Sequence, residues 1–551
     1  MRAGPGIAEV TRPRPAVLCH QDFTNLTRRC QLAPYHAAWA IILRPSGVTI
    51  MNIDVEAETV SRQGLSPSSP LADKFRQALA FSRLGQAARA RDLLNHILSG
   101  HPAHADALNL LGALTAQTGE LGRAAQLFDR AIDVDPGRAS VHCNRGLALQ
   151  GLGQWEAALA SFERAVLLDA YFPQAHFNLG NALKELGRPE AALQAYDRAV
   201  ALDEGYADAH CNRGVVLNDL KRLDDALASY DRAIALDPAH AAAHCNKSFT
   251  LLLRGDFAAG WPLYEWRWRL PGVTREKPAT AARLWMGGDD LAGRTILLRA
   301  EQGLGDTLQF CRYVPRVAAL GATVILEAQR PLLNLLADLD GVSQLLTEGA
   351  PLPKHDYHCP LLTLPLALDS RLDAIPGTPT YLRSDPAKVA EWQARLGART
   401  GPRVGLVWSG SATNRNDRNR SIPLTELWRH LPGGFQYVSL QKDVRAADAE
   451  ALRATPAIWN PADELLDFSD TAALCECMDV VVCVDTSVAH LCGALGQRTW
   501  VLLPFSPAWR WLLDRDDSPW YPTVKLYRQQ ETGRWAEVLG RLTADLIRMR
   551  F

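Results

Sequence analysis

The chain has 551 residues, too many for one compact core, so two or three domains are expected. Its net charge of −1 argues against a nucleic-acid-binding or anionic-membrane-binding surface. No apolar run approaches the roughly 18 residues of a membrane-spanning helix. The eleven cysteines are scattered and lack zinc-ligand spacing, so the sequence predicts no metal site and a reducing, cytoplasmic location.

Residues 1–50 differ in composition from the rest of the chain. They carry six arginines, two acidic residues and several prolines, without a sustained apolar period. We predict that this segment is disordered, or that translation starts at Met51 and the segment is a mis-annotated extension. Mass spectrometry of the native N-terminus tests the start at Met51, which peptides from before Met51 would exclude.

A 34-residue period runs through the next part of the chain. Three sets of residues follow it, namely the glycines Gly112, Gly146, Gly180 and Gly214, the aromatic residues Phe128, Phe162, Tyr196, Tyr230 and Tyr264, and the alanines Ala131, Ala165, Ala199 and Ala233. We interpret each period as a helix–turn–helix unit in which small residues let two helices approach and the aromatic ring fills the gap between neighbouring units. The pattern resembles the tetratricopeptide repeat, which implies an α-solenoid over residues 71–270 with five full units and a modified sixth.

Four asparagines share this period: Asn144, Asn178, Asn212 and Asn246. They fall on the first helix of each unit, which lines the concave groove in this repeat family. Repeated amides can hydrogen-bond the backbone of an extended peptide without reading its side chains. The pattern resembles the asparagine ladder of the eukaryotic O-linked N-acetylglucosamine transferase and predicts a polypeptide acceptor in the groove. The alternative is that asparagine is a tolerated polar residue at this position.

Histidines also follow the period, at His142, His176, His210 and His244. Neighbouring units place them about one helix pair apart, which is a packing distance and not a coordination distance. We therefore predict no metal at these histidines.

The sixth unit leads into a different kind of sequence. Its second helix carries Trp261, Trp266 and Trp268, which we expect to form the joint with the next domain. Residues 271–292 then lose the period and gain proline and glycine, which is typical of a linker.

Short apolar strands alternate with helical segments after Gly293. The strand segments are TILLRA (295–300), TVILEA (323–328), VSQLL (342–346), RVGLVW (403–408), FQYVSL (435–440), DVVVCV (479–484) and TWVLL (499–503). Strands that alternate with helices predict parallel sheets covered on both faces. We predict two Rossmann-like domains, at 293–400 and 401–551, with a ligand cleft at the carboxyl ends of their strands.

Three polar turns follow predicted strands. They contain Gly303, Gly305 and Asp306; Arg415, Arg418 and Arg420; and Asp485, Thr486 and Ser487, followed by His490 one turn into a helix. The free amides at the start of that helix, with the two hydroxyls, suit an anion, and arginines from the facing loop supply positive charge. A plain helix N-cap is the alternative role for Asp485.

Three segments resemble the heptosyltransferase family, glycosyltransferase family nine. They are RTILLRAEQGLGDTLQF, NRSIPLTELW and VDTSVAHLCGALG, within residues 293–527. The resemblance implies a GT-B fold and sugar transfer from a nucleotide-linked donor without a metal or other cofactor. It also implies roles for single residues, with Asp306 as the catalytic base, Arg420 as a phosphate contact, and Asp485, Thr486, Ser487 and His490 around the donor. Arg420 stands where the family usually has lysine, and Ser487 where it usually has glycine.

The leading hypothesis is a cytoplasmic bacterial glycosyltransferase that modifies a hydroxyl of a protein held by the repeats. Similar bacterial repeat-plus-transferase proteins include some that modify flagellin. The alternatives are a protein-binding scaffold with a degenerate transferase half, and a transferase acting on lipopolysaccharide or glycolipid. No nucleic-acid partner and no membrane span are expected. Among lesser candidates, Glu301 is a reserve base, and Trp509 or Trp511 either stacks on the ligand or packs between domains.

Overall fold

The computed structural model describes residues 69–270, 282–375, 380–412 and 416–549. The predictions for residues 1–50, for a start at Met51, for residues 271–281 of the linker and for Arg415 lie outside these ranges.

Within the described ranges, twelve helices between residues 70 and 264 form six consecutive pairs. The pairs are α1 (Pro70–Arg83) with α2 (Ala87–Gly100), α3 (Ala105–Gln117) with α4 (Leu121–Val134), α5 (Ala139–Gly151) with α6 (Trp155–Leu168), α7 (Pro173–Glu185) with α8 (Pro189–Leu202), α9 (Ala207–Asp219) with α10 (Leu223–Leu236), and α11 (Ala241–Arg254) with α12 (Phe257–Tyr264). Each pair also packs against the next, so the predicted α-solenoid is confirmed.

The glycine and aromatic registers meet inside four of the six helix pairs. An ideal Cβ placed on Gly146 of α5 would lie 2.5 Å from the ring of Phe162 on α6, and the same contact recurs at Gly112, Gly180 and Gly214. The aromatic ring therefore packs on the glycine of its own unit. Tyr196 and Tyr230 also reach side chains of the next unit, Asn212 and Thr250, so these rings pack within their own pair and against the neighbouring one.

We expect Gly146→Ala to lower the free energy of unfolding of the repeat array by about 1–3 kcal/mol, because its methyl group would overlap the Phe162 ring. Gly122→Ala is the matched control, since a Cβ on Gly122 of α4 has no atom within 4 Å. The control should leave the array unchanged or slightly more stable, because alanine favours helix more than glycine does. Urea unfolding followed by circular dichroism measures both, and equal stabilities would contradict the packing account.

The periodic histidines hold the turn that precedes the first helix in four of the six pairs. Each imidazole Nε2 lies within hydrogen-bond distance of the carbonyl oxygen six residues earlier, 3.1 Å for His142, 3.1 Å for His176, 3.3 Å for His210 and 3.1 Å for His244. Burial lowers the pKa of all four, which favours the neutral ring. The period thus reflects a local turn contact.

Two all-parallel sheets follow the repeats. The first sheet contains β1 (Arg283–Leu284), β2 (Thr295–Arg299), β3 (Thr323–Ala328), β4 (Val342–Thr347) and β5 (Tyr357–Pro360), in the order β1-β5-β2-β3-β4. The second contains β6 (Arg403–Val407), β7 (Gln436–Ser439), β8 (Ile458–Trp459), β9 (Val480–Val484), β10 (Thr499–Leu503) and β11 (Val524–Arg528), in the order β11-β10-β9-β6-β7-β8. The predicted parallel sheets are confirmed.

Helices connect these strands. They are α13 (Leu304–Phe310), α14 (Val314–Ala319), α15 (Leu333–Leu336), α16 (Leu364–Ala367), α17 (Pro386–Leu396), α18 (Asp417–Arg420), α19 (Leu424–Arg429), α20 (Ala446–Arg453), α21 (Phe468–Glu476), α22 (Ser487–Leu495) and α23 (Trp535–Met549). Within the described ranges, no helix is long and apolar enough to cross a membrane.

The positions of one strand and one helix differ from the predicted domain boundaries. Strand β1, inside the predicted 271–292 linker, pairs with β5 and extends the first sheet. Helix α17, inside the predicted 293–400 domain, packs against α21 of the second sheet, where Lys388 donates to Asp470 at 2.6 Å. The chain therefore joins the first sheet before residue 292 and reaches the second before residue 400.

One hydrophobic core joins the last helix pair to both sheets. The ring of Trp261 lies 5.3 Å from Trp509, which follows β10, and 6.3 Å from Phe310 at the end of α13. Trp266 instead stacks on His244 of the repeats at 3.7 Å, and Trp268 donates to Glu265. Of the three tryptophans expected at the joint, Trp261 is the one buried in this shared core.

Candidate functional site

A cleft of about 660 Å³ opens between the two sheets, within the size range of small-molecule sites. Its walls come from the carboxyl ends of strands in both sheets: residues 304–306 after β2, 409–412 after β6, 440–445 after β7, 485–488 after β9, and Pro504, Ala508 and Arg510 after β10. In the second sheet, β6 lies between β7 and β9, so the chain order reverses at β6. Such a reversal is where ligands bind in open parallel sheets.

Asp306 is the acid that the first sheet brings to the cleft. Its Oδ2 accepts a hydrogen bond from the Gly303 N–H at 3.0 Å, which fixes the carboxylate at the start of α13. Its Oδ1 accepts from the guanidinium of Arg510, which also donates to Gln309 at 2.8 Å. Each carboxylate oxygen can accept two hydrogen bonds, so both retain a lone pair for another donor.

Gly305 allows the two halves of the cleft to touch. An ideal Cβ on Gly305 would lie 2.9 Å from the His490 ring and 3.4 Å from the Ser487 Cα. Any side chain here would push α13 away from α22. Gly303 has a φ of −72°, which any residue can adopt, so its role in this geometry is the N–H that it donates to Asp306.

The turn after β9 leaves the first amides of α22 uncapped by a side chain. The N-cap residue is Thr486, so the alternative of an Asp485 N-cap was wrong. The Thr486 hydroxyl oxygen is buried and has no hydrogen-bond partner within the described part of the chain. A buried hydroxyl beside uncapped amides is a favourable place for an anion, because helix N-termini carry partial positive charge.

Arg420 is the last residue of α18, which follows the neighbouring strand β6, and it closes this turn. Its guanidinium donates to the Asp485 carbonyl oxygen at 2.7 Å and lies 3.5 Å from the Asp417 carboxylate. It covers Gly410, where an ideal Cβ would lie 2.5 Å from the guanidinium. Gly410 thus lets the arginine lie flat against the backbone beside the cleft.

His490 faces the cleft on one side and the core on the other. Its Nδ1 lies 3.0 Å from the Tyr521 hydroxyl, and its ring stacks on Trp511 at 5.4 Å. Trp509 and Trp511 are fully buried, so both tryptophans pack between the domains and neither lines the cleft.

The sequence analysis missed further polar residues that line the cleft, among them Ser409, Gln441, Lys442, Arg445 and Arg510. The Ser409 hydroxyl is buried and unpartnered among the described residues. The segment QKDVR follows the predicted strand FQYVSL directly, so the rule that ligands bind at strand ends could have identified three of them. Arg510 lies seven residues beyond its strand and carried no such signal.

The asparagine register lies in the interior of the solenoid. Asn144, Asn178 and Asn246 are buried, and Asn212 is half-buried. Their amide nitrogens donate to side chains of the preceding unit, at 3.0 Å from Asn144 to Asn109 and at 2.8 Å from Asn212 to Asn181. These amides bridge neighbouring units and do not form an exposed ladder, because burial leaves them out of reach of a peptide. The observed contacts fit the alternative interpretation, in which asparagine is a tolerated polar residue at this position of the repeat.

Glu301 lies away from the cleft, in the joint between the repeats and the first sheet. Its carboxylate accepts from Arg267 at 3.0 and 3.2 Å and from the Leu362 N–H at 3.2 Å. Glu265 binds the same guanidinium. The position of Glu301 therefore does not support the prediction that it is an alternative catalytic base.

Because Glu301 is buried, the stability of the joint between the repeats and the first sheet should depend on pH. Burial raises the pKa of this carboxyl to about 7, and contact with Arg267 opposes the rise. A raised folded-state pKa means that the folded protein binds the proton more tightly, so this stabilisation is full at acidic pH and is lost as the pH rises towards 7. From pH 5 to pH 8, the free energy of unfolding should fall by about 1–3 kcal/mol more in the wild type than in Glu301→Gln. Denaturant unfolding at four pH values checks this against the exposed control Glu163→Gln, and identical pH profiles for wild type and Glu301→Gln would contradict it.

Within the described ranges, no group of three or more histidine, cysteine or acidic side chains is placed to hold a metal ion. The cleft instead gathers cations, namely Arg420, Lys442, Arg445 and Arg510, and acids, namely Asp306, Asp443, Asp467 and Asp485. Mixed charge of this kind can bind an anion at one end and orient a neutral hydroxyl at the other.

Comparison with known proteins identifies the repeats. The family model described as "Tetratricopeptide repeat" matches residues 75–139, 143–207 and 177–241. FlbA of Caulobacter vibrioides is 29% identical over 324 residues, 54% of this chain and 53% of FlbA, so the chain spans about half the length of this curated relative.

Solved structures match over part of the chain. YrrB, "a TPR protein with an unusual peptide-binding site", is 23% identical with a TM-score of 0.29, and covers 32% of this chain and 92% of its own. PilF of Pseudomonas aeruginosa is 19% identical with a TM-score of 0.34, and covers 37% and 92%. The helix pairs within residues 75–241 are tetratricopeptide repeats.

Proposed function

We propose that this chain is a glycosyltransferase that moves a sugar from a nucleotide-sugar donor to a hydroxyl of a protein acceptor, and that its two sheets form a GT-B fold. One observation carries the proposal. Asp306 from the first sheet and the Asp485–Ser487 turn with Arg420 from the second sheet line the same cleft. An acid thus faces an anion-binding helix end across a cavity that can hold a nucleotide-sugar.

The proposed reaction needs one base and one site for a leaving anion. The acceptor hydroxyl transfers its proton to the Asp306 carboxylate while its oxygen attacks the anomeric carbon of the sugar. The bond from that carbon to the nucleoside diphosphate breaks, and its electron pair leaves with the diphosphate oxygen. Arg420 and the first amides of α22 stabilise the negative charge that develops there. His490 and Ser487 lie beside the same helix start and contact the donor.

The repeats support a polypeptide as acceptor. Tetratricopeptide repeats offer a surface for protein binding, and the shared core of Trp261 and Trp509 holds this surface beside the cleft. We propose a bacterial cytoplasmic protein, flagellin being one example of the class. The buried asparagines take no part in this binding, so other groove residues must contact the acceptor.

Ligand screening and intact mass test the proposal. The full chain is scanned for thermal stabilisation by UDP-, GDP-, ADP- and CMP-sugars, where a donor at 100 times its Kd adds about 2.7 kcal/mol. Candidate acceptors are then co-expressed, and a fixed mass increment on one of them identifies the reaction and the sugar. Stabilisation by no donor and no mass increment would contradict the proposal.

A protein-binding scaffold is the second candidate. The ion pair of Asp306 with Arg510 favours it, because the acid then has a structural partner across the cleft. In this case the repeats bind a partner protein while no nucleotide-sugar stabilises the chain.

A further inference from the structure

The short helix α18 touches the cleft with one arginine and the repeats with another. Arg420 reaches the Asp485 carbonyl oxygen, as described above. Arg418, two residues earlier, donates to the carbonyl oxygen of Glu185 and, at 3.4 Å, to that of Lys184. These two carbonyls are the last of α7, in the fourth helix pair.

This contact has a simple physical basis. The last carbonyls of a helix lack partners within the helix and carry partial negative charge. A guanidinium offers several donors in one plane and can satisfy two such carbonyls together. The end of α7 is therefore a fixed anchoring point for the loop that carries α18.

The other residues of α18 connect this anchor to the cleft. The Asp417 carboxylate accepts from Arg445, which also donates to the Gly410 carbonyl oxygen at 3.0 Å. The Ser421 hydroxyl donates to Asp417 at 2.9 Å. Because α18 is a single turn, a shift at Arg418 moves Arg420 and the Asp485 turn with it.

A second contact holds the same edge of the solenoid against the second sheet. The Lys221 ammonium, in the turn after α9, lies 3.9 Å from the centre of the Phe505 ring, which follows β10. The fourth and fifth helix pairs thus touch two of the loops that frame the cleft.

We propose that the fourth helix pair is a structural part of the anion site, with Arg418 as the positioning residue that holds Arg420 in place. The repeats then support binding of the nucleoside diphosphate itself, in addition to any acceptor that they hold. This inference rests on the proposed function where it names the ligand, but the anchoring of α18 is independent of it.

Arg418→Ala in the full chain tests the inference, with pyrophosphate, UDP, GDP and ADP as probes in isothermal titration calorimetry. We expect Kd to rise about three- to tenfold for whichever probe the wild type binds, and Arg418→Lys to recover part of the loss. Arg232→Ala is the matched control, since Arg232 is exposed and donates to the Glu204 carbonyl at 3.5 Å, away from the cleft. Unchanged affinity in Arg418→Ala would overturn the proposal.

Hydrogen exchange gives a readout that needs no ligand. The Ser421 N–H bonds the Asp417 carbonyl and the Ile422 N–H bonds the Trp408 carbonyl, both at 2.9 Å. We expect both amides to exchange faster in Arg418→Ala than in Arg232→Ala, and equal rates would overturn the anchoring. If exchange quickens but the wild type binds no probe, the anchor stands and the proposed transferase function fails. The Arg418→Lys variant answers the same questions if Arg418→Ala does not fold.

Discussion

Asp306→Asn is expected to lower the rate of sugar transfer by about 100-fold or more, because the amide cannot take the proton of the acceptor hydroxyl. The side chain keeps its size, so the hydrogen bond from Gly303 to its oxygen can form again. Binding of the nucleoside diphosphate should change little, since the proposed mechanism assigns Asp306 to the acceptor hydroxyl and not to the diphosphate. Single-turnover kinetics by intact mass measure the rate, and calorimetry measures donor affinity.

The control is Asp385→Asn. Asp385 also lies at a helix start, where it accepts from the Ala387 N–H at 2.8 Å, but it is not among the residues that line the cleft. It should retain wild-type activity. An Asp306→Asn variant with full activity would place the base elsewhere and leave the ion pair with Arg510 as the role of this acid.

Arg420→Ala should weaken nucleoside diphosphate binding by about 10- to 100-fold, the usual cost of losing a hydrogen bond to a charged group. The variant also frees the Asp485 carbonyl oxygen, which Arg420 holds at 2.7 Å, and so loosens the turn before α22. Arg420→Lys keeps the charge and should lose less, since an ammonium can still pair with a phosphate oxygen.

Arg429→Ala controls for the loss of a positive charge. Arg429 is exposed at the end of α19 and is not a cleft residue. Calorimetry with the best-bound nucleoside diphosphate measures both variants. Equal affinities would rule out a phosphate contact at Arg420.

The sequence predicted the features that repeat or follow a simple geometric rule. The 34-residue period marked the helix pairs, because four of them pack a glycine of the first helix against a ring of the second. Apolar runs marked the central strands, and the polar turns after β2, β6 and β9 proved to meet at one cleft, since strand ends converge in parallel sheets.

Other features depend on contacts that no local pattern reveals. The edge strand β1 has two residues and forms only because β5 lies beside it. Arg510 reaches Asp306 across the cleft from 204 residues away. Sequence alone also could not show that the periodic asparagines face the neighbouring unit, because the same helix presents residues to the groove and to the interior.

The core around Trp261 limits how such a chain can be divided or recombined. Phe257 stacks on Trp520 and Trp261 meets Trp509, so a cut after residue 270 would expose two tryptophans to water. A stable fragment that contains the two sheets must keep α11 and α12. Exchange of repeat arrays between related chains has its natural crossover before residue 173, because the fourth and fifth pairs also contact the second sheet through Arg418 and Phe505. The last three pairs are then inherited with the sheets, while the number of earlier pairs is free to vary.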